Sequence, residues 1–199
     1  MLALSAVPTG AKAAEKRLLV LGDSLTAGYG LPSAQAFPVK LEAALRAKGV
    51  AVTVINAGVS GDTTAGGLAR LDWSLADKPT HVIVELGAND MLRGLDPAQA
   101  RRNLDQIMTR LRAEKLPVLI AGMLASRTLG AAYQAEFDGM YPALAKQHGA
   151  ALYPFFLDGV ATDPALNQND GLHPNARGVD VIVERILPSV LTLLETPSS

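Results

Sequence analysis

The sequence predicts an α/β protein: a doubly wound domain with a parallel five-stranded sheet covered by helices on both faces, three layers in all. Three observations lead there. Short apolar runs alternate with longer stretches of helical periodicity along the 199 residues. The runs are continuously apolar rather than alternating, as in strands buried on both faces. Polar, glycine-rich turns follow the runs, and right-handed β-α-β crossovers then gather those turns along one edge.

The strands are expected at residues 18–21, 50–55, 81–86, 118–121 and 152–155, the last being the shortest apolar run. Between them lie the helices. The clearest covers about 97–114: Asp96 caps it, Pro97 takes the first helical position, and Ala100, Leu104, Ile107, Met108 and Leu111 make one stripe. Residues 37–48 and 131–148 read as helices of similar kind. A helix over about 175–187 carries Val179, Ile182, Val183, Ile186 and Leu187 on one face. A helix over 64–76 is weakened by Gly66 and Gly67. Residues 17–195 make one domain, with no internal repeat or linker.

Composition removes several function classes. Apolar residues make up 49% and charged residues 19% of the chain, a globular balance. With 18 basic and 19 acidic side chains and no long block of one sign, nucleic acid is not an expected partner. The absence of cysteine excludes disulfides and thiolate chemistry. Three widely spaced histidines argue against a histidine-rich metal site, so no metal and no cofactor are expected. No apolar run approaches the roughly 20 residues of a membrane span, so no stable membrane insertion is expected. Residues 1–16 read as an N-terminal arm or a signal-peptide remnant. Ala11-Lys12-Ala13 matches the small-residue pattern that ends a secretory signal, although a basic leading segment is missing.

The strand ends hold the chemistry. The first ends in Gly22-Asp23-Ser24-Leu25, the second leads to Ser60-Gly61-Asp62-Thr63, and the third to Gly87-Ala88-Asn89-Asp90. Asp170-Gly171-Leu172-His173 stands just before the last helix. A nucleophilic serine needs a base, an orienting acid and donors for the oxyanion. Ser24 is the candidate nucleophile, His173 its base and Asp170 the acid that orients the imidazole. The N–H groups of Ser24 and Gly61 and the side-chain amide of Asn89 are the candidate oxyanion donors. Each residue alone also fits a turn or a helix cap; the joint pattern over four segments is what points to catalysis. His81, opening a strand, and His148, near a helix end, read as structural. Asp23, Asp62 and Asp90 read as residues that hydrogen-bond the turns, while Glu85, inside the third strand, has no evident role. Met91, Leu92 and Leu95, with Met123, Leu124 and Leu129, are candidates for an acyl groove, core packing being the alternative.

These segments together resemble the SGNH, or GDSL, family of hydrolases. Gly22-Asp23-Ser24-Leu25 matches its nucleophile block, Gly61 its second-block glycine, Asn89 the asparagine of G-x-N-D, and Asp170 with His173 its final D-x-x-H block. Within the family, "NAGVSGDTTAGGLARL", "VIVELGANDMLRGL" and "YPFFLDGV" are similar to the bacterial thioesterase I, lysophospholipase and arylesterase group. The resemblance implies a flavodoxin-like sheet, a metal-free serine esterase acting on small ester or lipid-like substrates, and export to the periplasm or beyond, with a cytoplasmic location as the alternative. Thr26 stands where the common G-x-S-x-G elbow has its second glycine, so a less strained serine turn and an open, adaptable site are expected. Two other readings remain at this point: a carbohydrate O-acetyl esterase or acyltransferase of the same family, and a non-catalytic flavodoxin-like binding module.

Overall fold

In the computed structural model, which describes residues 15–198, the strands are β1 (Lys16–Gly22), β2 (Val52–Gly58), β3 (His81–Glu85), β4 (Val118–Ala121) and β5 (Ala151–Tyr153). All pairings are parallel, in the order β2-β1-β3-β4-β5. This is the flavodoxin-like order, in which the winding of the strand order reverses between β1 and β3 and opens a crevice at their carboxyl ends. The arm or signal remnant expected over residues 1–16 lies, up to residue 14, outside the described residues; β1 already includes Lys16.

Burial drives this arrangement. Leu18 to Leu21, Val82 to Val84 and Leu119 to Ala121 are almost wholly shielded from water, and each such aliphatic side chain contributes about 1.5–3 kcal/mol when buried. The helices are α1 (Ser24–Ala27), α2 (Phe37–Ala47), α3 (Thr64–Ala69), α4 (Leu71–Leu75), α5 (Ala88–Leu92), α6 (Pro97–Ala113), α7 (Ala131–His148) and α8 (Ala176–Glu195). α2 packs on α8, while α6 packs on α3 and α7. The stripe expected on α6 is its buried face, with Asn103 added.

Element ends differ from expectation where tertiary contacts outweigh local signals. β2 runs on through Asn56, Ala57 and Gly58, because its ladder with β1 extends to Gly22. The 64–76 helix is two short helices that meet at Arg70. α8 passes through Pro188, where a sequence-based helix stops, because Val190, Leu193 and Leu194 keep its last turns docked on the core. The turn expected after β3 is a one-turn helix, α5.

The register sets the rim of the site. Gly22 stands opposite Gly58 on one side and Glu85 on the other. A Cβ at Gly58 would lie 2.5 Å from the Ala27 nitrogen and 2.7 Å from Thr26 Oγ1. Only glycine lets β2 and α1 approach so closely. Gly58→Ala should therefore lower stability by about 1–3 kcal/mol. Gly139→Ala, exposed within α7 with nothing within 4 Å of the added carbon, should raise it by up to about 1 kcal/mol. Urea or thermal melts of the two variants check both signs.

Candidate active site

Ser24 is the first residue of α1, directly after the single residue that separates it from β1. Asp23 supplies the cap: its Oδ1 accepts from Leu25 N–H at 2.9 Å. Backbones with positive φ occur at Lys78, Lys115 and Thr162 among the described non-glycine residues, so Ser24 is not held in the left-handed region. Thr26 turns inward, fully buried, and its hydroxyl donates to the Asp23 carbonyl at 3.2 Å.

From the far end of the sequence comes the candidate base. Asp170 Oδ1 accepts from the N–H groups of Leu172 (2.9 Å) and His173 (3.0 Å), closing a tight turn in which Gly171 takes φ +69°. The turn leaves Asp170 Oδ2 2.6 Å from His173 Nδ1. His173 Nε2 lies 2.9 Å from Ser24 Oγ. Hydrogen bonds thus run without a break from Asp170 through His173 to Ser24. The loop is fastened by Gln168 N–H on the His173 carbonyl (2.8 Å) and by Asn175, which caps α8 and donates to the Ala165 and Asn167 carbonyls.

Tyr29 belongs to this assembly and was not singled out from the sequence. Its ring centroid lies 4.5 Å from that of His173, and Gln168 Nε2 donates to its carbonyl at 2.8 Å. The aromatic residue five positions after Ser24 was the available signal, but nothing local shows that it faces a histidine so distant in sequence.

The loops bearing the expected oxyanion donors Asn89 and Gly61 are tied to the end of β1. Asn89 Nδ2 donates to Asp23 Oδ2 at 3.0 Å, leaving its second N–H for another acceptor. The loop bearing Gly61 is drawn in by Val59 N–H and Arg70 Nη2, both donating to the Gly22 carbonyl at 3.1 and 2.9 Å. Arg70 also pairs with Asp62 at 2.5 Å. Gly61 takes φ +85°, and its carbonyl accepts from Arg93 at 2.6 Å. Asp90, buried, accepts from Thr64 N–H and Oγ1 at 2.8 and 2.7 Å. Asp23, Asp62 and Asp90 are therefore turn-fastening acids, as the sequence suggested.

The apolar candidates divide. Leu92, Leu95, Leu124 and Leu129 are exposed, and Met91 is half-buried with its sulfur accepting from Ser126 N–H. Met123 departs from the expectation: it is 3% exposed and belongs to the core, because the chain is still beneath the helices just after β4. His148 is the last residue of α7, before the capping Gly149, and pairs with Asp105 at 2.7 Å; His81 binds Thr80 Oγ1 and the Thr196 carbonyl. Both are structural. Among the described residues, no group of three or more histidine or acidic side chains is placed to hold a metal ion, and no helix is long and apolar enough to cross a membrane.

Two acids near the serine sit in opposite environments. Asp170 is held down at about 2 by the His173 and Leu172 backbone N–H groups and then the imidazole. Asp23 is pushed up to about 6 by burial, against the opposing hydrogen bonds from Leu25 and Asn89.

Comparisons with known proteins identify the family of the chain. The family described as GDSL-like Lipase/Acylhydrolase matches residues 20–181. The chain is 42% identical to "Esterase TesA" of Pseudomonas aeruginosa over 184 residues, 92% of each protein. It is 41% identical to "Thioesterase 1/protease 1/lysophospholipase L1" of Escherichia coli K12 over 164 residues, 82% of this chain and 77% of that one. Among solved structures it resembles AlinE4, described as an SGNH-hydrolase family esterase, with a TM-score of 0.78 at 51% identity over 92% of this chain and 99% of that one.

The raised Asp23 carboxyl has a consequence for stability. Folding favours its protonated form, so the stability it allows is fully present below about pH 4 and is lost as pH rises through 6. Asp23→Asn cannot ionise. The melting temperature of Asp23→Asn relative to the parent should therefore climb between pH 4 and pH 7, read by thermal melts at stepped pH; a constant difference would show that Asp23 does not titrate in this range.

Proposed function

The chain belongs to the GDSL-like lipase/acylhydrolase family and is an ester hydrolase, and we propose that it works through an acyl-enzyme formed on Ser24. The observation that carries this reading is the continuous hydrogen-bonded line from Asp170 to His173 to Ser24, at 2.6 and 2.9 Å, between residues 149 positions apart.

Ser24 Oγ attacks the ester carbonyl while His173 Nε2 takes its proton. The Asp170 carboxylate, its pKa held down at about 2, accepts the Nδ1–H and stabilises the imidazolium. The carbonyl oxygen becomes an oxyanion received by the Ser24 and Gly61 N–H groups and the second N–H of Asn89. His173 then protonates the leaving alcohol as the carbon–oxygen bond breaks. Water, activated by the same imidazole, attacks the acyl-serine and releases the acid. Tyr29 lies against the imidazole and limits its rotation.

Substrates are proposed to be aryl esters and short- to medium-chain acyl esters, extending to thioesters and lysophospholipids. The support is the exposed leucines at positions 92, 95 and 124 on the segments after β3 and β4, together with names given to relatives. A sugar O-acetyl esterase or a binding module gains nothing comparable from these neighbours. Export to the periplasm or beyond is proposed from the Ala11-Lys12-Ala13 pattern; recovery of the native protein in the soluble cytoplasmic fraction of its source cell would refute it.

Ser24→Ala and His173→Ala should abolish hydrolysis of p-nitrophenyl esters, acyl-CoA and lysophospholipid alike, and a fluorophosphonate should label Ser24 alone by mass spectrometry. Near-normal turnover of Ser24→Ala would remove the nucleophile. Asn89→Ala should cost on the order of 10²–10³ in kcat with little change in KM; full kcat would place the oxyanion elsewhere.

A further inference from the structure

Glu85 takes no part in the acyl transfer described above, yet it is wholly buried at the end of β3, opposite Gly22. Its Oε2 accepts a long hydrogen bond, 3.4 Å, from Asp23 N–H. Its Oε1 meets no donor among the described residues. A Cβ at Gly22 would lie 2.8 Å from Oε2, so a glycine before Asp23 makes room for this carboxyl. An ionised Glu85 would face the Asp23 carboxylate with one oxygen stripped of water and unpaired, an arrangement that costs several kcal/mol. A carboxylic acid resolves both difficulties. Its hydroxyl can donate to Asp23, and its carbonyl oxygen still accepts from Asp23 N–H.

We propose that Glu85 is a positioning residue for the oxyanion-facing amide: its carboxylic acid donates a hydrogen bond to the Asp23 carboxylate, and that carboxylate in turn holds Asn89. Asp23 is then gripped from three directions, by Leu25 N–H at 2.9 Å, by Asn89 Nδ2 at 3.0 Å and by Glu85. Because an amide is planar, fixing one N–H of Asn89 fixes the direction of the other. The relay Glu85–Asp23–Asn89 thus runs beneath the rim, separate from the line Asp170–His173–Ser24 above it. Electrostatics agree: burial pushes the Glu85 carboxyl well above its ordinary range, and the negative charge of Asp23 pushes it further.

The inference rests on the reading of Asn89 as an oxyanion donor, and the test separates the two. Glu85→Gln, Glu85→Met, Asn89→Ala and the Glu85→Met/Asn89→Ala pair are compared by kcat, KM and melting temperature on a p-nitrophenyl ester. Glu85→Gln keeps a neutral donor and should retain kcat within a few-fold. Glu85→Met removes the donor at similar volume. It should lower kcat on the order of 10- to 100-fold with KM unchanged, while its melting temperature equals or exceeds the parent's, since an apolar group often replaces a buried acid without loss. In the Asn89→Ala background the same substitution should have no further effect on kcat. The inference is overturned if Glu85→Met keeps full kcat, if its loss is repeated in full without Asn89, or if Glu85→Gln is as slow as Glu85→Met. Should Glu85→Met not fold, Glu85→Gln decides alone: retained kcat supports the relay, and a loss above ten-fold at an unchanged melting temperature overturns it. Full kcat in Asn89→Ala removes the oxyanion reading itself, and the relay with it.

Discussion

A carboxylate kept from water at the end of β1 governs the architecture of this site. Asp23 is fully buried, a placement that is unfavourable unless every lone pair is met. Meeting them organises the surroundings. Oδ1 caps α1, which puts Ser24 at the first helical position and its hydroxyl at the rim. Oδ2 holds Asn89 and with it the loop after β3. One residue earlier, the Gly22 carbonyl collects Val59 and Arg70 and so the loop after β2. Two adjacent residues therefore gather three separate loops. The crevice at the reversal of strand order is filled by hydrogen bonds that the serine turn itself requires.

How far the sequence discloses this follows from the range of each interaction. Strand cores are legible because burial on both faces leaves a continuous apolar run, as in Leu18 to Leu21. The ends are less so. Nothing local in Asn56-Ala57-Gly58 reads as strand; pairing with β1 makes it one. Pro188 reads as a stop, and only the buried Val190 and Leu194 explain why α8 continues. The residues of the proposed triad and of the proposed oxyanion donors are legible because each block is contiguous and polar where a strand should end. Glu85 is illegible for the converse reason: it occupies the last position of an apolar strand, and its partner lies 62 residues away. The contact of Tyr29 with His173 is hidden in the same way.

The two acids on either side of the serine show one residue type serving two ends through environment alone. Asp170 is at the surface, held by two backbone N–H groups and an imidazole, so its charge is stable and available to stabilise a second charge on His173. Asp23 is inside, and its charge is opposed by burial yet fastened by donors. A negative charge at Asp170 favours the imidazolium directly. At Asp23 it acts through Asn89 and Leu25, by fixing where N–H groups point.

In the proposed reading, chemistry and substrate contact are carried by different parts of the fold. The acids, the amide and the serine are tied to strand ends whose register is fixed over the seven paired positions of β1 and β2. The exposed leucines stand on the segments after β3 and β4, which are joined by Tyr133 Oη on the Leu95 carbonyl and by the Met91 sulfur accepting from Ser126 N–H. Few hydrogen bonds cross that rim, so its side chains can be exchanged or displaced at small cost to the sheet beneath. Hydroxyl, imidazole and donors keep their places while the apolar rim adapts. Substitutions in the segments after β3 and β4 therefore reach the exposed leucines while leaving the ties at the end of β1 in place.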